Sequence, residues 1–199
     1  MAPTTPTAPT TRAADEREAI VRIDAEPGSK QFQGVWLELG GERWVIDYRA
    51  RGLWKPFEDH AVIVAGECYT PRGQAIGATH FRVDRMRFMK PERGRGPILE
   101  LGPEQMLRGA FAEHAFPAGS KRADSPARTF VDDAGTSYWI AGGDGLPAAG
   151  TAARVKARVV TPDLSYVAQP SGPNLWILDV RKPDQVDDPA HAPTITKCP

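Results

Sequence analysis

The chain has 199 residues and carries 25 Lys and Arg against 25 Asp and Glu, so its net charge is zero. That balance argues against the basic excess from which phosphate-binding proteins draw most of their affinity. No run approaches the roughly 18 apolar residues of a membrane span, and the two cysteines, Cys68 and Cys198, have neither metal-motif spacing nor the pattern of a disulfide framework.

Met1 to Thr11 is Ala, Pro and Thr. It lacks the positive start and the apolar stretch of about 7–15 residues of a signal peptide, so a cytoplasmic location is expected. Residues 1–12 cannot bury apolar surface and are expected to be disordered. The run Ala19-Ile20-Val21-Arg22-Ile23 fits a short helix by its Ile20 and Ile23, or a first strand by its β-branched residues. Pro27-Gly28-Ser29 then breaks the chain.

From Phe32 the pattern is β. Val35, Leu37 and Leu39 alternate with Trp36 and Glu38, and Gly40-Gly41 makes a hairpin turn. Trp44, Ile46 and Tyr48 form the next alternating set. A loop with Trp54, Pro56 and Phe57 follows, and Ala61-Val62-Ile63-Val64-Ala65 reads as a central strand buried on both faces. After a turn at Thr70-Pro71-Arg72-Gly73, a strand begins at His80.

The grammar then returns. Phe32-Gln33-Gly34-Val35-Trp36 is echoed by Leu107-Arg108-Gly109-Ala110-Phe111, and Gly41 to Ile46 by Gly135 to Ile140. Val62 to Gly66 is echoed by Val155 to Val160, Pro71 by Pro162, and Phe81-Arg82-Val83-Asp84 by Trp176-Ile177-Leu178-Asp179. Trp44/Tyr138 and Asp84/Asp179 are the paired anchors. The predicted core is Trp44, Ile46, Val62, Val64, Phe81 and Val83 in the first copy. In the second it is Tyr138, Ile140, Val155, Val159 and Leu178.

The expected fold is therefore all-β: two tandem small barrel modules over 27–95 and 96–182, with an extended or disordered segment at 1–26 and a disordered acidic, Pro-rich tail at 183–199. Trp44-Val45-Ile46-Asp47, Pro56-Phe57-Glu58 and Val62-Ile63-Val64-Ala65-Gly66 resemble small bacterial OB-like domains of unassigned role. The resemblance implies a five-stranded, partly open barrel. It implies no particular chemistry, because this fold serves many functions.

Candidate sites are few. Arg154, Lys156 and Arg158 alternate with apolar residues, so a strand would set them in one solvent-facing row. Arg82, Arg85 and Arg87, continuing to Lys90, Arg93 and Arg95, form a second basic stretch. With Trp54 and Trp139 as stacking platforms (and Trp36 and Trp176 beside them), these rows fit a reader of single-stranded nucleic acid. The zero net charge favours an ordinary solvated face over core tryptophans. His60, Glu67, Cys68 and His80 lie on neighbouring segments but lack metal-ligand spacing, and no metal or other cofactor is expected. Cys68 with His80 is the one pair available for nucleophilic chemistry, with no sign of an oxyanion hole. The leading expectation is a non-catalytic module that contacts a protein partner and no membrane. Single-stranded nucleic-acid binding is the alternative, and an enzyme at Cys68/His80 the third.

Overall fold

A computed structural model describes residues 16–24, 33–71, 76–90, 98–121, 123–143, 145–163, 172–185 and 193–199. The first strand, β1 (Arg17–Asp24), settles the ambiguity near the N-terminus: its β-branched residues win, and Ala19 and Val21 point inward. β1 thus lies inside the segment expected to precede the barrels. Residues 1–15 are outside the described residues. β2 (Gly34–Leu39), β3 (Glu42–Asp47), β4 (Ala61–Thr70) and β5 (Thr79–Phe88) follow as the alternation predicts.

These five strands close a barrel. β1 pairs with β2, β2 with β3, β3 runs parallel to β5, β5 pairs with β4, and β4 returns to β1. Closure needs a sharp bend, and β4 makes it at a register shift between Ala65 and Gly66. A Cβ on Gly66 would stand 2.0 Å from the Arg82 carbonyl oxygen, so only glycine lets the two backbones meet there. The loop after β3 plugs one end. Leu53, Trp54 and Phe57 are fully or nearly fully buried around a single 3-10 turn at Lys55–Phe57, and Phe57 stacks on Phe88 at 4.7 Å. Burying side chains of this size contributes roughly 1.5–3 kcal/mol each.

The remaining strands are β6 (Ile98–His114), β7 (Ala127–Asp132), β8 (Ser137–Gly143), β9 (Ala152–Pro162), β10 (Asn174–Arg181) and β11 (Thr194–Thr196). β6 pairs with β7, β7 with β8, β8 runs parallel to β10, β10 pairs with β9, and β9 returns to β6. The second circuit thus repeats the pairing order of the first. β6 also pairs with β5 through Met86↔Leu101 and Arg87↔Glu100, so all eleven strands form one continuous sheet. No helix among the described residues is long and apolar enough to cross a membrane.

The second circuit departs from the expected register. The Leu107 to Phe111 echo falls in β6, a first strand, whereas Gly34 to Trp36 lie in β2, a second strand. Trp139, one residue past the Tyr138 anchor, takes the parallel position that Trp44 takes, each facing the first residue of the next parallel strand: Asn174 and Thr79. Of the expected second core only Val155 is buried; Tyr138, Ile140, Val159 and Leu178 are half-buried. Trp139 on β8 and Val160 on β9 are buried in place of their neighbours Tyr138 and Val159, and Leu178 is the extra residue where β10 shifts register against β9. Leu175 and Ile177 point inward instead. In the first core, Trp44, Val62, Val64, Phe81 and Val83 are buried as expected, and Ile46 is half-buried.

The end of the chain is not the plain disordered tail that its composition implied. Residues 186–192 lie outside the described residues, but Thr194–Thr196 form β11 on the edge of β4, pairing with Thr70, Tyr69 and Cys68. β1 covers Ala61 to Val64 of that edge, and β11 covers Cys68 to Thr70. Two residues on, Cys198 forms a disulfide with Cys68, with a Cα–Cα distance of 5.1 Å.

Candidate functional site

The basic rows are committed to the protein itself. Arg158 is 4% exposed, not solvent-facing. Its guanidinium donates to the Val83 carbonyl at 2.7 Å and the Gly102 carbonyl at 2.9 Å, with the Glu104 carboxylate at 3.9 Å and the Trp54 ring beneath it. Burial lowers its pKa, while Glu104, Asp84 and Asp47 oppose that shift; a guanidinium stays charged regardless. It therefore joins β5, β6 and β9 as a clamp. Lys156 pairs with Glu104 at 2.7 Å, and Arg154 donates to the Gln185 carbonyl at 2.8 Å.

In the second stretch three arginines are likewise paired, while Lys90 is exposed. Arg82 pairs with Glu67 at 2.8 Å, Arg85 lies 3.7 Å from Glu100, and Arg87 lies 3.1 Å from Glu16. Arg93 and Arg95 are outside the described residues. Asp84 sits among these groups, and burial raises its pKa against the pull of Arg82. Neither tryptophan offers an open face. Trp54 is buried and donates its indole N–H to Asp47 at 2.9 Å. Trp139 is also buried, edge-on to His114 and stacked with Phe116.

Cys68 cannot be a free nucleophile, since both cysteines are in the disulfide and no free cysteine remains. His60, Glu67 and His80 do not converge with a third ligand: no group of three metal-binding side chains occurs among the described residues.

One concave feature stands out. A cleft of about 580 Å³ opens where β4 ends, β5 begins and the chain finishes past β11. Cys68, Tyr69, His80, residues 76–79, Thr196 and Lys197 line it. His80 is buried against the rings of Tyr69 and Tyr48. Burial lowers its pKa, and a hydrogen bond to the Ala78 backbone partly offsets this. A neutral imidazole that donates to a carbonyl keeps its other nitrogen as an acceptor. The Tyr48 hydroxyl, 2.6 Å from Nε2, therefore donates to it. Burial also raises the pKa of Tyr69, so its phenol stays protonated.

No family model, curated protein or solved structure matches this chain. The site must therefore be read from its own chemistry. The cleft has hydroxyls, backbone groups, an ammonium and an aromatic wall, a mixture that suits reversible binding. Sequence reading picked out Cys68 and His80 but not what joins them to the C-terminus. The one available signal was the presence of two cysteines, and spacing alone did not link them.

Proposed function

We propose that this chain is a non-catalytic binding module built from two OB-like barrels, with the cleft at the β4–β5–β11 end as its contact surface. The observation that carries this reading is the combination of an open, mixed-polarity cleft with arginine rows already paired to internal acceptors. Its volume of about 580 Å³ falls within the roughly 300–1,000 Å³ common for ligand sites. The repeated pairing order, each with one parallel contact, supports two related barrels. The disulfide favours an oxidising compartment over the cytoplasm.

Gly77 provides the test. Gly77 lines the cleft and a Cβ there meets nothing within 4 Å, so Gly77→Trp adds a bulky side chain at the cleft wall with no clash at its Cβ. Affinity capture from the native host, read by mass spectrometry, is expected to recover the same partner with the parent and with Lys156→Glu, and to lose it with Gly77→Trp. Equal recovery by Gly77→Trp would remove the cleft as the contact surface. Tight binding of single-stranded DNA that weakens steeply with salt would put the nucleic-acid reading first.

A further inference from the structure

β11 is held by little besides its covalent bond. It contributes three residue pairs to β4, all three of its residues are exposed, and Ile195 is 49% exposed. So short an edge strand, with no buried side chain, opens at little free-energy cost. It is nonetheless in place, and Cys198 immediately after it is bonded to Cys68. The two residues differ in access: Cys68 is buried at 2% exposure, whereas Cys198 is only half-buried, between the exposed Lys197 and Pro199.

We propose that Cys68–Cys198 is a thiol-exchangeable latch that holds β11 on the β4 edge and thereby fixes one wall of the cleft. The reductant is a dithiol. Its first thiolate attacks the accessible Cys198 sulfur, forming a mixed disulfide and expelling Cys68 as a thiolate, which takes up a proton. Its second thiol, as the thiolate, then attacks the reagent sulfur of the mixed disulfide. Cys198 leaves and is protonated, and the reagent departs as a cyclic disulfide. Two electrons and two protons pass to the protein. Without the bond, β11 leaves the edge, baring the backbone of Cys68 to Thr70 and removing Thr196 and Lys197 from the cleft. An exposed strand edge of this kind accepts another extended segment.

The latch rests on the cleft reading only for its consequence, so its test does not depend on a ligand. Hydrogen exchange is followed by mass spectrometry on the full chain, oxidised and after treatment with dithiothreitol, with Cys198→Ser as a second open form. Exchange at 194–196 and 68–70 is expected to quicken by about tenfold or more on reduction and in the variant. Amides of Val35 to Leu37, in the barrel wall, should keep their oxidised rates. Unchanged exchange at 194–196 would mean that β11 holds without the bond, and the latch would be wrong. Faster exchange at Val35 to Leu37 as well would make the bond a staple of the barrel and equally overturn it. Failure of the Gly77→Trp experiment leaves these exchange rates untouched.

Discussion

The first barrel and the second circuit share one pairing order but are filled differently. The first holds Trp44, Leu53, Trp54, Phe57, Phe81, Met86 and Phe88, with the 3-10 plug closing one end. The second is packed around Phe111 and Phe130 with Val155, Leu175, Ile177 and the small Ala153 and Ala157. The cores are not independent, because Ile98, Leu101 and Val160, from β6 and β9, pack into the first core. One topology thus tolerates two fillings, and the richer core borrows from the poorer circuit.

The strongest way to break this comparison is to hollow each core in turn. Phe81 and Phe130 are both buried, and truncation to Ala is expected to cost about 3–5 kcal/mol in each case. The consequences should differ. Phe81→Ala strips the core that β6 and β9 share, so urea unfolding should lose both halves in one transition. Phe130→Ala should unfold the second circuit first and leave slow exchange at Val35 to Leu37. Identical behaviour of the two variants would mean that the halves form one cooperative unit.

A smaller effect probes the joint. Arg158→Met leaves the Val83 and Gly102 carbonyls without their charged donor in a buried site, and about 3 kcal/mol should be lost. Lys156→Met on the same strand removes only a partly exposed pair with Glu104, for a change of about 0–1 kcal/mol. Equal urea midpoints for the two variants would show that the clamp does not hold the halves together.

The smallest effect concerns acid. Burial holds the His80 pKa below its ordinary 6.5 in the folded protein. Its contribution to stability is complete above pH 6.5 and is lost as pH falls through that value toward the folded one, because the unfolded chain then takes up the proton first. Asp84, with a pKa raised above 3.8, acts in the opposite sense: protonation as pH falls relieves its destabilisation. His80 lies on β5, so its acid sensitivity should reside in the first barrel. Between pH 7.5 and 5.5 the urea midpoint of the parent should fall, and that of His80→Phe should fall less. Parallel declines would assign the effect to another group.

The difference between the halves also explains what the sequence made legible. In the first barrel β2 to β5 follow plain alternation, and Val62, Val64, Phe81 and Val83 could be placed from spacing alone. In the second, alternation gives two sets of residues per strand but not which set faces inward, and Trp139, Val160 and Ile177 are buried beside the expected Tyr138, Val159 and Leu178. Arg158 looked like its neighbours Arg154 and Lys156, because alternation gives a strand's two faces but not which strand will later cover one of them. The pairing of Cys68 with Cys198 depends on a chain reversal that no local signal marks.

The bond between Cys68 and Cys198 also determines how the molecule bears tension. A pull between β1 and Cys198 crosses the backbone bonds from β1 to β4, follows β4 to Cys68, and leaves through the two sulfurs. The intervening chain, a sequence separation of 130, is a covalently bypassed loop that contains β5 and the entire second circuit. While the bond is intact, that loop adds no length to the covalent path, so only the segment from β1 to Cys68, which carries β2, β3 and most of β4, can be drawn out.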